Sequence, residues 1–366
     1  MKKNLILITT GGSGGHVFPA QAVATYLQKE GYELAFVTDN RGKKRIKGTL
    51  ASIQSYSVCA SSVSGRGLFG KIVALSKLGL GTFQAIRLLL KIKPKLVIGF
   101  GGYASIPAVL AAQFLHIPVV LHEQNAILGK ANRLLARKAK LIATSFTPTG
   151  QLPAFVKTIQ TGMPVRPEVI EKKDSPYPTD TTEFHLLIIG GSQGARAFSD
   201  ILPKAIVALS PELKGKLILT QQVRSEDMNR VEEEYRNSGI KNIQLAPFFD
   251  NIPDLLANAH LVISRSGASS LAELSMVGRP ALLMPLPTAA DDHQTANARI
   301  WTAGGAGWLV VERNTTIENI TSRLTDLMEN QNLLQRAAFC AKNTNPETSA
   351  DEALAKEIIK ILKDYK

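Results

Sequence analysis

Cysteine is scarce in this sequence, which narrows the kinds of fold it can form. The 366 residues contain two cysteines, Cys59 and Cys340, too few for a disulfide framework and typical of a reducing compartment. The apolar run after Lys3 stops at Thr10, too short for a secretory signal. No uninterrupted apolar run reaches the roughly 18 residues that a membrane span needs. We therefore expect a cytosolic or membrane-peripheral protein, with two domains from its length.

Acidic residues are nearly missing from the N-terminal half. Residues 1–165 contain 21 Lys and Arg against 4 Asp and Glu, a net charge of +17. Residues 166–366 contain 22 against 26, a net charge of −4, so all of the excess positive charge lies in the first half. This asymmetry predicts an anionic partner: nucleic acid, anionic lipid or a phosphorylated substrate. The alternative is that the charge serves solubility alone.

Several signatures of catalysis and ligand binding are also absent. Neither of the two glycine-rich loops has the Gly-Lys-Ser/Thr of a P-loop or the spacing of a dinucleotide fingerprint. His16, His122 and Glu123 could form a zinc site, but no HExxH motif or cysteine pair supports one. The aromatic residues form no stacking platform for nucleic acid. We therefore expect no metal and no nucleic acid as ligands.

An alternating α/β pattern is present, and it occurs twice. The apolar run 4–10 leads into the glycine loop GGSGGH at 11–16, and the run 184–189 leads into GGSQGAR at 190–196. Helical patterns alternate with further apolar runs in both halves, which is typical of parallel sheets covered by helices. The fold class predicted from the residues is α/β, with a duplicated domain architecture.

The domain boundaries follow from composition. Residues 165–182 are rich in Pro, charged residues and Thr, with little apolar pattern, and we interpret them as a linker. The N-terminal domain then covers 1–164 and the C-terminal domain 183–347. The last helix, 348–366, could pack on either domain.

The stretch Ser264–Gly278 is the clearest candidate for a binding site. Gly267 allows a sharp turn after a buried strand, and a helix begins at Ala268. The free N–H groups of a helix start and the positive end of its macrodipole suit a diphosphate. Glu273 lies about one turn later, where a carboxylate can hold ribose hydroxyls. The alternative is an ordinary capped helix.

Polar residues also follow other predicted strands. His16 ends the first glycine loop and is a candidate general base, with a packing role as the alternative. The sequence HEQN at 122–125 ends another strand of the same predicted sheet. In the second half, Pro247–Asp250 offers an aromatic wall or backbone groups to a base, while Gln294 and its polar neighbours suit sugar hydroxyls.

The segment 64–95 is basic and amphipathic, with glycines that favour mobility over core packing. Such a segment is typical of a surface that lies on an anionic bilayer, and a core-facing helix with a basic outer face is the alternative. The residues that we expect to contact the membrane or the acceptor are Arg66, Leu68, Phe69, Lys71, Ile72 and Leu75.

Taken together, six motifs resemble a known family. They are GGSGGH (11–16), HEQN (122–125), GMPVR (162–166), GGSQGAR (190–196), RSGASSLAE (265–273) and DDHQTANA (291–298). In this order and over nearly the whole chain they resemble the MurG family of undecaprenyldiphospho-muramoylpentapeptide β-N-acetylglucosaminyltransferases.

The resemblance implies a glycosyltransferase B-type fold, in which two Rossmann-like doubly wound domains face each other across a cleft. It implies inverting transfer of N-acetylglucosamine from UDP-N-acetylglucosamine to lipid I, giving lipid II for peptidoglycan synthesis without a catalytic metal. The expected location is the cytoplasmic face of the inner membrane, as a peripheral protein. Further partners among cell-wall synthesis proteins are left open.

The resemblance also assigns roles by motif position. Ser13, Gly14 and Gly15 line the cleft, His16 is the base, Asn125 contacts the donor sugar, Arg166 and Ser192 lie near the donor phosphates, Phe249 meets the uracil through its backbone, Ala268, Ser269, Ser270, Leu271 and Ala272 cradle the diphosphate, Glu273 holds the ribose, and Gln294 holds the sugar hydroxyls.

Two positions depart from the family pattern. Met163 replaces the Asn that often precedes Pro-Val-Arg, and His293 replaces the first Gln of a Gln-Gln pair. The role of position 293 stays open, as does a share of the proton transfer for His122, Glu123 or a water molecule. Two other functions also stay open: a UDP-N-acetylglucosamine epimerase of the same fold, and a lipid-diphosphate or nucleotide binding module without activity.

Overall fold

The chain divides into two compact units, each built on a parallel β-sheet. Unit 1 comprises Met1–Arg166 and Pro346–Lys366, and unit 2 comprises Pro167–Asn345. The computed structural model describes residues 4–11, 14–43, 46, 48–61, 68–191, 195–344 and 349–364.

Unit 1 has a sheet whose seven described strands lie in the order β3-β2-β1-β4-β5-β6-β7. Its elements up to the unit boundary are β1 (Leu5–Thr9), α1 (Gly14–Lys29), β2 (Glu33–Thr38), α2 (Asn40–Lys43), α3 (Thr49–Ser52), β3 (Gln54–Ser57), α4 (Leu68–Ile92), β4 (Leu96–Gly99), α5 (Ile106–Phe114), β5 (Val119–Glu123), α6 (Lys130–Ala136), β6 (Leu141–Thr144) and β7 (Thr158–Gln160).

Unit 2 repeats this plan, with six described strands in the order β10-β9-β8-β11-β12-β13. Its elements are α7 (Pro167–Ile170), β8 (Phe184–Ile189), α8 (Arg196–Val207), α9 (Pro211–Lys216), β9 (Leu217–Gln222), α10 (Met228–Tyr235), β10 (Asn242–Ala246), α11 (Ile252–Asn258), β11 (Leu261–Ser264), α12 (Ala268–Val277), β12 (Ala281–Leu283), α13 (His293–Ala303), β13 (Gly307–Leu309), α14 (Ile317–Glu329) and α15 (Gln331–Lys342). All strand pairs named here are parallel, which confirms the α/β prediction.

Alternating side chains explain why the strands are apolar throughout. Ile6 and Ile8 of β1 point into one buried cluster of unit 1, while Leu7 between them joins the cluster on the opposite face. Both faces of the sheet are therefore covered, and a strand buried on both faces reads as a continuous apolar run rather than an alternating one.

The last helix, α16 (Ala350–Asp364), belongs to unit 1. Its Leu354, Ile358 and Leu362 are buried in the same cluster as Ile6 and Ile8. The apolar spacing of four residues places these three side chains on one face of the helix, next to α1.

The predicted linker, residues 165–182, is not a separate segment between the two units. Arg166 ends unit 1, whereas the segment from Pro167 onwards packs as part of unit 2. The hydroxyl of Tyr177 donates to the carbonyl of His260 at 2.9 Å, and the buried guanidinium of Arg279 donates to the carbonyl of Pro176 at 2.8 Å. These bonds hold the polar segment against unit 2, a long-range effect that composition could not indicate.

Each sheet reverses its strand order at one point, and open α/β sheets bind ligands beyond the carboxyl ends of the strands at such a point. In unit 1 the reversal lies between β1 and β4, and in unit 2 it lies between β8 and β11. The two glycine loops and the turn before α12 follow three of these four strands, so both candidate sites begin at a reversal point.

Candidate active site

The start of α12 lies at the reversal point of unit 2. β11 ends at Ser264, and Gly267 in extended conformation (φ −63°, ψ 143°) is the N-cap residue of α12. A glycine has no side chain that could accept from the first N–H groups of the helix. Ser269 and Ser270 lie inside the first turn, so the alternative of a serine-capped helix does not describe this geometry. The first turn is oriented to bind an anion with its N–H groups.

Side chains in this helix divide into buried and accessible positions. Ala268, Leu271 and Ala272 are buried in unit 2, so they can meet a ligand only through their backbone. Ser269, Ser270 and Glu273 are half-buried, and their polar groups share one side of the first turns. The predicted diphosphate cradle therefore consists of backbone N–H groups and two hydroxyls, with one carboxylate beyond them.

The turn before α12 is hydrogen-bonded to the start of α13. The hydroxyl of Ser266 donates to the carbonyl of Gln294 at 2.8 Å, and the amide of Asn297 donates to the carbonyl of Ser266 at 3.1 Å. The Gln294 side-chain oxygen accepts from the N–H of Leu286 at 2.9 Å. These bonds fix the predicted sugar-binding Gln294 beside the predicted diphosphate cradle. Prediction from sequence identified Gln294 but not this bracing.

Arg265, the first residue of the motif RSGASSLAE, has a structural role in the site. Its guanidinium is buried, donates to the carbonyls of Met284 and Pro285, and pairs with Glu312 at 2.6 Å. It also lies 4.7 Å from the centre of the Phe198 ring. With these partners Arg265 holds the ends of β11 and β12 together rather than offering its charge to a ligand.

The aromatic turn after β10 presents its two phenylalanines in opposite ways. Phe249 is 6% exposed, whereas Phe248 is 65% exposed. The buried ring of Phe249 cannot form a wall for a base, but its backbone stands at the carboxyl end of the sheet. This arrangement suits the predicted contact through the backbone.

In unit 1 the imidazole of His16 lies against a glycine pair that follows β4. A Cβ atom placed on Gly102 would lie 2.8 Å from the Cα of Gly11 and 3.3 Å from Cδ2 of His16. Gly101 and Gly102 adopt positive φ angles of 80° and 76°, and the N–H of Gly11 donates to the carbonyl of Gly101 at 2.9 Å. Only glycines allow this close approach of the two loops. The pair was not identified from sequence, although its doubled glycine after an apolar run was a usable signal.

The HEQN segment ends β5 and is mostly internal. His122 is buried, its Nε2 bonds the carbonyl of Gly162 at 3.1 Å, and burial lowers its pKa to about 4. The carboxylate of Glu123 accepts from the N–H of Gly129 at 2.9 Å and from the amide of Asn132 at 2.8 Å. Burial raises the pKa of Glu123, although these hydrogen bonds oppose the shift. Both groups hold their loop in place.

Two further members of the segment lie nearer the glycine pair. The Gln124 amide donates to the carbonyl of Phe100 at 2.8 Å, which fixes the backbone just before Gly101. Asn125 is only half-buried. Of the four polar residues, Asn125 thus has the most accessible side chain.

The remaining predicted residues have varied placements. Gly14 and Gly15 begin α1, and Arg166, the last residue of unit 1, lies with its guanidinium 5.9 Å from the centre of the Phe18 ring. Ser13, Ser192 and Arg66 lie outside the described residues, as do the side chains of Leu68, Phe69 and Lys71. Within the described parts of the chain, no three His, Cys, Asp or Glu residues are grouped as metal ligands.

Two α/β units, each with a strand reversal point at the carboxyl edge of a parallel sheet, define the fold, and family models specify the class. Residues 6–144 match the glycosyltransferase family 28 N-terminal domain, and residues 185–354 match the glycosyltransferase family 28 C-terminal domain. The chain belongs to glycosyltransferase family 28.

Individual relatives point to one branch of this class. The chain is 43% identical to a UDP-N-acetylglucosamine--N-acetylmuramyl-(pentapeptide) pyrophosphoryl-undecaprenol N-acetylglucosamine transferase of Paramagnetospirillum magneticum, over 99% of this chain and 98% of the relative. It is 44% identical to the transferase of the same name from Rhodospirillum rubrum, over 94% and 89%. These matches confirm the resemblance to the MurG family.

Solved structures agree on the fold. The crystal structure of Acinetobacter baumannii MurG matches with a TM-score of 0.80 and 29% identity, and the match covers 99% of each chain. A UDP-GlcNAc 2-epimerase from Neisseria meningitidis matches with a TM-score of 0.68 at 16% identity, over 97% of this chain and all of the other. The second likeness shows the fold alone, whereas the first confirms the B-type prediction.

Proposed function

We propose that this chain transfers N-acetylglucosamine from UDP-N-acetylglucosamine to lipid I, the undecaprenyl-diphosphate-linked muramoyl-pentapeptide, giving lipid II. The observation that carries the proposal is the sequence similarity to transferases of that name, with 43% identity over 99% of this chain for one of them. It is supported by the anion-binding helix start at the reversal point of unit 2, which suits the diphosphate of the donor.

In this proposal unit 2 supplies most of the contacts to the donor. The N–H groups in the first turn of α12, at 268–270, bind the diphosphate, Glu273 accepts from the ribose hydroxyls, and the backbone of Phe249 meets the uracil. Gln294 binds hydroxyls of the sugar, for which an uncharged amide with a donor and an acceptor is suited. Asn125, Arg166 and Ser192 are proposed as further donor contacts on the strength of the motif match.

In unit 1 we assign the general base to His16. Its ring lies at the reversal point against Gly101 and Gly102, whereas His122 is buried and a weak base with a pKa of about 4. The acceptor hydroxyl oxygen forms a bond to the anomeric carbon as the bond from that carbon to the UDP oxygen breaks. The hydroxyl proton passes to His16, and configuration at the anomeric carbon inverts. Negative charge that grows on the departing UDP is stabilised by the start of α12, without a catalytic metal.

A transfer assay tests this proposal. Purified protein is incubated with radiolabelled UDP-N-acetylglucosamine, with and without a lipid I analogue. We expect labelled lipid product only with the acceptor. His16→Ala should lower kcat by at least about 100-fold, the lower end of what a general acid–base group contributes. Epimerisation of the donor without transfer supports the alternative enzyme, and binding without chemistry supports the binding module. Near-normal turnover of His16→Ala removes that residue as the base.

We further propose that α4 lies on the membrane at its cytoplasmic face. The exposed side of the helix has Leu75, Leu80 and Phe83, each more than half exposed, while its opposite side packs against α5. Lys77 and Arg87 of the same helix are also exposed, and Arg87 lies one turn after Phe83 on the same side. Exposed apolar and basic side chains on a half-packed helix suit insertion into the headgroup region of an anionic bilayer. By length and composition alone, the segment Ile72–Ile92 also passes as a membrane span. The search for uninterrupted apolar runs did not find it, because Lys77 and Arg87 interrupt the run.

Vesicle binding tests the membrane proposal. Wild-type protein is sedimented with vesicles of phosphatidylcholine alone or with 30% phosphatidylglycerol. Phe83→Glu should weaken binding to the anionic vesicles about tenfold or more, because it removes buried apolar area and adds a repelled charge. Phe339→Glu is the matched control, since Phe339 is also more than half exposed but lies in unit 2. Equal binding by Phe83→Glu and wild type, or binding that ignores the anionic lipid, contradicts the proposal.

A further inference from the structure

The side chain of Gln222 joins the ends of three neighbouring strands in unit 2. Gln222 is the last residue of β9, which lies between β8 and β10. Its Oε1 accepts from the N–H of Gly190, just after β8, at 3.1 Å, and its Nε2 donates to the carbonyl of Pro247, just after β10, at 3.1 Å. The side-chain amide therefore acts as one more rung of the ladder, beyond the point where backbone pairing ends.

A primary amide is the chemical group that this position requires. Gly190 supplies a donor and Pro247 supplies an acceptor, so the bridging side chain must accept on one side and donate on the other. A glutamate can only accept when ionised, and an apolar side chain can do neither. Gln222 is buried, which makes the loss of either bond costly because the freed backbone group has no water to replace it.

The two groups that Gln222 connects begin the two loops on either side of it at the carboxyl end of the sheet. Gly190 opens the glycine loop and is followed by Gly191, with a φ angle of 86°. Pro247 opens the aromatic turn that contains the exposed Phe248 and the buried Phe249. The orientation of the Pro247 carbonyl fixes the direction in which the next backbone groups of the turn point.

We propose that Gln222 is a positioning residue that sets the preference of the nucleotide site for uracil. This inference rests on the proposed function, in which the backbone of Phe249 meets the base. Uracil presents a carbonyl acceptor and an N–H donor where cytosine presents an amino donor and a bare acceptor nitrogen. Backbone groups held in one orientation match the first pattern and oppose the second, so loosening the turn weakens the discrimination more than it weakens diphosphate binding.

The test compares the affinities for UDP and CDP by calorimetry, together with thermal unfolding of each free protein. Gln222→Met removes both bonds. We expect the ratio of the dissociation constant for CDP to that for UDP to fall about tenfold, which corresponds to the loss of a hydrogen bond of about 1.4 kcal/mol. Gln221→Met is the matched control. Gln221 is the preceding residue of β9 and is also buried, and its side chain accepts from the hydroxyl of Tyr235 rather than from either loop. We expect Gln221→Met to lower the melting temperature and leave the ratio unchanged.

Gln222→Glu supplies a second measurement if Gln222→Met does not fold. Its carboxylate can accept from Gly190 but faces the Pro247 carbonyl with like partial charge. Protonation restores the missing donor, so we expect the UDP preference to recover as the pH falls from 8 to 5. A ratio that is unchanged in Gln222→Met, equally reduced in Gln221→Met, or independent of pH in Gln222→Glu overturns the inference. A wild-type protein without preference for UDP overturns the proposed donor as well, and this outcome is read from the wild type alone.

Discussion

Acidification should destabilise unit 1 through the buried His122. Its Nε2 donates to the carbonyl of Gly162, and its Nδ1 accepts from the amide of Gln124 at 3.3 Å. The neutral imidazole satisfies both partners, whereas an added proton at Nδ1 would face the Gln124 donor in a buried site. Burial is the main reason that the pKa falls from 6.5 to about 4.

The magnitude follows from this shift. The folded pKa lies below the unfolded pKa, so between pH 6.5 and 4 the unfolded chain binds a proton that the folded chain excludes. The unfolding free energy therefore falls as the pH falls through this window. The stability associated with the neutral His122 is fully present above pH 6.5. At about 1.4 kcal/mol per unit, the full shift corresponds to roughly 3.4 kcal/mol, of which about 2.5 kcal/mol should be lost between pH 7.5 and 4.5.

Comparison with His122→Gln isolates this contribution from the carboxylates that titrate in the same range. Glutamine can donate to Gly162 and accept from Gln124 without titrating. Urea unfolding followed by far-ultraviolet circular dichroism is measured for both proteins at pH 7.5 and 4.5. Tryptophan fluorescence is the internal reference, because Trp301 and Trp308 both lie in unit 2.

When the pH is lowered from 7.5 to 4.5, the unfolding free energy of the variant should rise by about 2.5 kcal/mol relative to that of the wild type. A stability difference between the two proteins that is the same at both pH values would refute the assignment of a neutral, buried His122. The variant should also keep the wild-type pH dependence of kcat, because His16 is the proposed base. Loss of the neutral limb of that profile would return His122 to the reaction.

Three further outcomes are expected. Gly81→Ala should lower the free energy of unfolding by at least about 2 kcal/mol, because its Cβ would lie 1.8 Å from the carbonyl oxygen of Cys59. A Cβ on Gly79 of the same helix would have no atom within 4 Å, so Gly79→Ala should stabilise the protein by up to about 1 kcal/mol. Equal melting temperatures of the two variants in thermal unfolding would contradict the packing of α4. Glu273→Gln should raise the KM for UDP-N-acetylglucosamine about tenfold or more with little change in kcat, because a neutral amide replaces a charged acceptor of ribose hydroxyls, and steady-state kinetics showing the loss in kcat instead would contradict the ribose role. Initial rates should stay within about twofold after treatment with EDTA, because the start of α12 is proposed to stabilise the leaving diphosphate, and activity that returns only with added Mg²⁺ would contradict this.

Local sequence patterns predicted the strands that are buried on both faces. The predicted strand 184–189 coincides with β8, and the buried strand predicted before Gly267 is β11. The edge strand β7 (Thr158–Gln160) was missed, because it is short and largely exposed, so no apolar run marks it.

Site residues divide along a similar line. His16 and the start of α12 were identified because a glycine loop or turn directly after an apolar run is a local signal. Glycines 101 and 102 also follow an apolar run, but that local signal does not show why glycine is required there, which depends on contact with Gly11, distant in sequence. His122 was grouped with ligand-facing residues, and burial against Gly162 gives it a supporting place instead.

The sequence by itself determined the α/β class, the duplication of the domain, the charge asymmetry and the family motifs. These features depend only on composition and on the order of residues along the chain, so they can be recognised without knowledge of tertiary contacts. Tertiary structure decided which polar groups face a ligand and which serve as internal braces. That distinction depends on burial and on partners up to 40 residues away for His122 and 32 residues away for Gln222, which only the folded chain brings together.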